Sequence, residues 1–327
     1  MNKEIKISEL NLRKIISEAE KIYRSAKKQR EKEMSDDSDN QTFAQWEVTP
    51  KGFKAVGNVT RDLPAALYKL NVDNYGNVYF KQSSISTNEL LRFNDSKIDE
   101  VAEHIDIFWK SKNKYKNFDV QYKRGILLYG PPGTGKSSII KLLINDVISR
   151  DGIAISFDHP RVFMEGISIL KRIHPNKPVV CIIEDLDTTM REWSTKLLDI
   201  LDGSTVFLDN VIFVATTNYI ERLEDRIKDR PSRFDKVIHV PYPNEDIRRA
   251  YIENLFNNAG KSSKRSIDKW VRDTDGFSFP HMTELFLGVH LYGRGEKDYK
   301  SVLESIKNMG DIIHSSDDGK KDTIGID

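Results

Sequence analysis

At 327 residues the chain has room for one large domain and a smaller companion. Hydrophobic residues at 38% can fill a core, and charged residues at 31% suit a water-facing surface. Lys and Arg total 51 against 50 Asp and Glu, so bulk charge makes no case for a nucleic-acid or membrane partner. Cys181 is the only cysteine, which excludes an internal disulfide and suits a reducing compartment. Within VVCII it reads as a small buried hydrophobe. No apolar run approaches the roughly 18–20 residues that span a bilayer, and the start, charged from Lys3, lacks the apolar stretch of a signal peptide. A soluble cytoplasmic protein is expected.

Residues 1–42 read as a charged amphipathic helix followed by the acidic linker MSDDSDNQT. Ile5, Leu10, Ile15, Ala19, Ile22 and Ala26 recur at roughly helical spacing, which suits packing on the body, on a neighbouring subunit or on a partner. Residues 43–95 form a small β-containing segment. In it two β-rich runs flank Asp73-Asn74-Tyr75-Gly76, a hairpin signal.

From Ser96 to Trp109 the apolar pattern predicts a helix leading into an α/β domain over 96–243. Strand-like runs GILLY (125–129), IAISF (153–157), VVCII (179–183), VIFVAT (211–216) and VIHVP (237–241) alternate there with helical segments. Parallel strands need crossovers, so this alternation predicts a five-stranded parallel sheet flanked by helices. Residues 244–309 turn helical and predict a small all-helical lid, and the polar tail 310–327 is expected to be disordered.

The chemistry begins at the first of these strands. Gly130-Pro131-Pro132-Gly133-Thr134-Gly135-Lys136-Ser137 matches G-x-x-x-x-G-K-[ST], and Ser138 continues it into a helical run. Glycines let successive N–H groups point at phosphate oxygens, and the helix N-terminus adds its dipole. Lys136 would then reach the β- and γ-phosphates, and the Ser137 hydroxyl would ligate Mg²⁺.

With its two prolines, KRGILLYGPPGTGKS resembles the AAA family of ATPases, and further motifs sustain the resemblance over about residues 96–309. It implies ATP and Mg²⁺ as cofactors. EDLD (184–187) stands at the family's second acidic motif, with Glu184 at the magnesium-coordinating position and Asp185 at that of the water-activating acid. Glu-Asp reverses the usual order and shifts each carboxylate by about one methylene, which bears on a base that must sit within roughly 2.6–3.2 Å of its proton or act through one water. The same order, and LLDILDG (197–203), are similar to the branch containing the mitochondrial inner-membrane AAA translocase, whose membrane segment is missing here.

The resemblance makes Asn218, after VIFVATT, the residue that orients the attacking water. It makes Arg230 and Arg233 of DRPSRFD arginine fingers reaching a neighbour's nucleotide. GFSFPH (276–281) takes the place of the family's Gly-Phe-Ser-Gly-Ala-Asp, and His281, at a helix start, is expected to be structural. Val162-Phe163-Met164 stands where threading members carry a pore loop, but Phe and Met at helical spacing more often belong to a core, and TTMREW (188–193) is a short second loop. No H-E-x-x-H occurs, so no zinc protease is expected.

The expected protein is a Mg²⁺-dependent ATPase assembled as a homohexameric ring. It would remodel a protein or nucleoprotein target, without a membrane and without direct nucleic-acid binding. Two alternatives stay open: a nucleotide-gated scaffold with little turnover, and a DNA-acting loader. The short N-terminal part suits a bacterial or bacteriophage source, with the host cytoplasm as location in the latter case.

Overall fold

The computed structural model describes residues 45–49, 52–56, 60, 62–84, 96–203, 208–223, 232–260, 264–293 and 295–318. The expected N-terminal helix and acidic linker lie outside these residues. The chain divides into two units, residues 1–63 and 64–327. In the first, β1 (Gln45–Thr49) and β2 (Gly52–Val56) pair antiparallel, with Gln45 opposite Val56 and Thr49 opposite Gly52.

The second unit is built on a sheet whose five expected strands all form: β5 (Lys123–Tyr129), β6 (Ile153–Ser156), β7 (Val179–Ile183), β8 (Val211–Thr217) and β9 (Lys236–His239). They run parallel in the order β6-β7-β8-β5-β9. Strands β7 and β8 are buried at every position, because crossover helices cover both faces, and their unbroken apolar runs record that burial.

The hairpin expected around Asp73 also forms, as β3 (Leu67–Val72) and β4 (Val78–Ser83). Asp73 nucleates its turn, with Oδ1 accepting the Tyr75 and Asn77 N–H groups at 2.9 and 2.8 Å. Its place was not legible in the sequence. Strand β3 pairs parallel with β6, Leu67 opposite Ala154, so the sheet has seven strands, not five, with β4 as the antiparallel edge. The reason is burial: Tyr68 and Leu70 share one side of β3, and both are buried. Leu70 rests on Gly166, where an added Cβ would come within 2.6 Å of its Cδ1.

One sheet face carries α1 (Ser96–Lys110) and α3 (Lys136–Ser149). Val101, Ile105, Phe108, Ile139, Leu143 and Val147 pack there on alternate residues of the strands. A short helix, α2 (Lys112–Asn117), follows α1. The other face carries α4 (Pro160–Ile173) and α5 (Leu186–Asp202). Cys181 is fully buried, and burial pushes its thiol pKa up, so the neutral, unreactive form persists.

The pore-loop candidates fall on helices. Phe163 is buried in α4 against Phe157 and Phe213, so it belongs to the core. TTMREW lies inside α5, which kinks at Trp193 (φ −134, ψ 25), and the indole packs on His159 at 4.6 Å.

The lid comprises α6 (Glu245–Asn258), α7 (Lys264–Asp273), α8 (Phe279–Leu287) and α9 (Tyr299–Asp318), with a π turn over Gly288–Tyr292 extending α8. Helix α9 continues past the boundary expected at 309. Trp270, Phe256, Met282, Leu285 and Tyr299 form the lid's own core.

If the hairpin is integral to the sheet, Leu70→Ala leaves a cavity over Gly166 and destabilises the chain by about 2–5 kcal/mol in urea unfolding. A change below about 0.5 kcal/mol, the range of surface substitutions, would mean that β3–β4 is peripheral.

Candidate active site

Strand β8 lies between β5 and β7, with Thr217 opposite Tyr129 and Ala215 opposite Ile183. The phosphate-loop motif, the acidic pair and Asn218 each follow one of these three strands directly, so the register brings all three together at the carboxyl ends. Ligands of open α/β sheets bind at such ends.

The loop turns at Gly130 (φ +148), where an added Cβ would sit 2.1 Å from the Val240 carbonyl oxygen, a position only glycine can hold. Lys136 opens α3 and is 7% exposed. Its ammonium donates to the carbonyls of Gly130 at 2.7 Å and Pro131 at 2.8 Å, while Thr134 Oγ1 donates to Pro131 at 2.9 Å. Burial lowers the Lys136 pKa, and the Asp185 carboxylate pulls the other way.

After β7 the backbone turns sharply. Asp185 adopts φ +48, ψ +57, in the left-handed region, and stands as the N-cap of α5. Glu184 and Asp185 are both exposed, and the Asp185 N–H points to Thr216 Oγ1 at 3.4 Å.

A cavity of about 460 Å³ gathers the pieces. Pro132, Gly133, Gly135, Lys136, Ser137 and Ser138 line one wall and Glu184, Asp185, Thr216 and Asn218 another, closed by Phe279 and Pro280 from the lid. A slightly larger cavity of about 520 Å³ lies at the opposite, amino-terminal end of the strands, bordered by Lys112, Tyr122, Asn176 and Asp209, and holds no motif residue.

Thr216 is a lining residue that the sequence reading misses, while Phe279 and Pro280 belong to the GFSFPH segment noted there as a family counterpart in the lid. The signal for Thr216 is the doubled Thr before Asn218. The lid contact is direct: the Phe279 N–H donates to the Gly133 carbonyl at 3.1 Å. His281 makes a capping box with Ser278 at the start of α8, a structural use, and burial lowers its pKa.

Arg233 is not in the cavity. It is 4% exposed and grips Asp202 through two nitrogens, Nε at 3.0 Å and a terminal nitrogen at 2.8 Å. Asp202 belongs to LLDILDG, so the two motifs are joined by one ion pair in which the arginine is buried and the aspartate half-buried. Arg230 lies outside the described residues.

Residues 126–242 match the family described as "ATPase family associated with various cellular activities (AAA)". This segment is an AAA ATPase domain. The chain is 24% identical over 238 residues to the "Proteasome-activating nucleotidase" of Methanothermobacter thermautotrophicus, covering 67% of this chain and 58% of that protein. It is 25% identical over 192 residues to the "AAA ATPase forming ring-shaped complexes" of Bifidobacterium animalis subsp. lactis, covering 50% and 36%. Against the "ATP-dependent zinc metalloprotease FtsH" of Aster yellows witches'-broom phytoplasma it is 29% identical over 202 residues, covering 56% and 29%. The chain thus spans less than two thirds of the length of each relative. No helix among the described residues is long and apolar enough to cross a membrane.

The donor chemistry of the AAA domain's cavity fits magnesium. Ser137 and Glu184 both border the cavity and offer hard oxygens. Mg²⁺ commonly takes one or two protein oxygens and completes its shell with phosphates and water. Charge argues the same way. Two carboxylates face one ammonium here, a balance that would repel a polyphosphate unless a divalent cation stood between them.

Gly133 tests the lid contact, since it has φ +73 and an added Cβ would come 2.9 Å from Pro280 Cδ and 3.0 Å from Ser278 Oγ. Gly133→Ala adds about 1–3 kcal/mol of backbone strain and also displaces the lid. Calorimetric ATP affinity should fall by about tenfold or more. Gly276→Ala carries similar strain (φ +75) with nothing within 4 Å of its Cβ, and should lose stability while ATP affinity is kept. Equal affinity loss in both would refute a specific lid–loop contact.

Proposed function

We propose that this chain is a magnesium-dependent ATPase that works as a homo-oligomeric ring, a hexamer by family resemblance, and remodels a protein or nucleoprotein target in the cytoplasm. The observation that carries the reading is the meeting of the phosphate loop, the acidic pair and Asn218 around one cavity.

The backbone N–H groups from Gly133 to Ser137 and the α3 dipole cradle the phosphates. Lys136 exchanges its two loop carbonyls for phosphate oxygens, a swap that leaves its buried charge paired throughout. The Ser137 hydroxyl and Glu184 carboxylate would hold magnesium, which when bound neutralises charge on the β- and γ-phosphate oxygens. Asp185 accepts a proton from water as the water oxygen attacks the γ-phosphorus, and the bond to the bridging oxygen breaks to release ADP and phosphate. Asn218, half-buried at the rim, orients that water. Arg230 would approach the γ-phosphate from a neighbouring subunit, where a planar guanidinium grips phosphate oxygens bidentately. A relative named for ring-shaped complexes supports the assembly, and the target is left at the level of chemical class.

The test is ATP hydrolysis by the purified chain across a range of subunit concentrations. Activity per subunit should rise cooperatively, Lys136→Ala should abolish ATP binding, and Arg230→Ala should leave binding intact while lowering turnover by about 10³-fold or more. ATP-dependent assembly without turnover at any concentration would overturn the motor reading in favour of a nucleotide-gated scaffold.

A further inference from the structure

Next to the cavity lies a hydrogen-bonded link centred on two residues not assigned to the chemistry, Thr217 and Asp187. Thr217, the last residue of β8, is fully buried. Its hydroxyl donates to Asp187 Oδ1 at 2.8 Å and accepts the Tyr219 N–H at 3.1 Å. Its carbonyl accepts the Gly130 N–H at 3.3 Å. Asp187, in the first turn of α5, is itself 7% exposed. One threonine therefore touches the start of the phosphate loop, the helix that carries the acidic pair at its head, and the residue just after Asn218.

We infer that the Thr217–Asp187 hydrogen bond positions Asn218 against Glu184 and Asp185, making both residues positioning groups for the ATPase centre. This rests on the reading of Asn218 given above. Asn218 sits between the two ends of a small clamp: Thr217 on its amino side is tied to Asp187, and Tyr219 on its carboxyl side is tied to Thr217. The carboxylate is a charge-assisted acceptor, stronger and shorter than a neutral one. Low dielectric around the buried pair strengthens it further, and successive bonds from Tyr219 through Thr217 to Asp187 polarise one another. A buried carboxylate is costly unless its oxygens are hydrogen-bonded, and the Thr217 hydroxyl supplies one such bond. The parallel contact from the Asp185 N–H to Thr216 Oγ1 ties the acids themselves to β8, so two adjacent threonines staple the two catalytic edges together.

The experiment measures kcat and KM for ATP, with calorimetric ATP affinity, on the full chain at a temperature where circular dichroism shows each variant folded. Thr217→Val removes the hydroxyl at constant shape, and Asp187→Ala removes the acceptor. Each should lower kcat by about 10–100-fold, the scale of an ångström-level misplacement. KM and affinity should stay within about threefold of wild type, because the lost interaction acts only in the transition state.

Thr217→Ser and Asp187→Asn keep the hydrogen bond and should restore most of kcat. Thr217→Val combined with Asn218→Ala should be no slower than Asn218→Ala alone. Multiplying losses in that double variant, a Thr217→Ser as slow as Thr217→Val, or an unchanged kcat in Thr217→Val would each overturn the link while leaving Asn218's role standing. A neutral Asn218→Ala, or a wild-type chain that binds ATP without turnover, would overturn that role and the link with it.

Discussion

The parallel pairing of β8 between β5 and β7 is the constraint on which the molecule depends. Gly130, Glu184 and Asn218 are far apart in the sequence, and no local signal brings them together. Two ladders do: Tyr129 opposite Thr217, and Ile183 opposite Ala215. Strand side chains alternate between faces, so a one-residue slip in either ladder would turn one wall of the cavity away. The continuous burial of β7 and β8 prevents that slip, since apolar residues on both faces are locked between α1 and α3 on one side and α4 and α5 on the other.

Held by that frame, the site carries features that would destabilise a free loop. Lys136 is a buried ammonium, Asp185 is a non-glycine residue in the left-handed region, and Gly130 lies within a methyl's width of the next strand's backbone. Each is over-determined by its neighbours: loop carbonyls satisfy the lysine, α5 fixes the turn at Asp185, and β9 sets the approach at Gly130. Strain concentrated at catalytic turns and supported by a rigid sheet is a common arrangement in enzymes. The lid adds a second support, for Phe279 and Pro280 close over the same loop from a separate core around Trp270.

What the sequence made legible follows from the range of each interaction. Strand and helix positions came from local periodicity, and the phosphate loop from a spacing confined to eight residues. The hairpin at Asp73 was visible because one aspartate builds its turn. Its docking on β6 depends on Leu70 meeting Gly166, nearly a hundred residues away, and no window could show that. Arg233 and Asp202 each belong to a sequence motif, but their pairing across 31 residues is hidden for the same reason. Thr216 carries only a weak local signal, because a threonine near the end of a strand is ordinary, and the cavity is what distinguishes it.

The reversed acidic pair then has a local physical account. The second acid occupies φ +48 in the two-residue bend, Glu184-Asp185, that joins β7 to α5. Among non-glycine residues, Asp and Asn tolerate that region best, because a short polar side chain can be accommodated beside its own backbone. A glutamate there would place a longer, more flexible chain at the strained position. Glutamate at 184, by contrast, immediately follows the end of β7, outside the left-handed turn, and can extend towards the cavity. The Glu-Asp order therefore matches each carboxylate to the backbone beneath it, and the methylene lost at 185 is regained at 184. Both acids still border the same cavity as Ser137 and Asn218, so the exchange redistributes reach within the site without removing either charge from it.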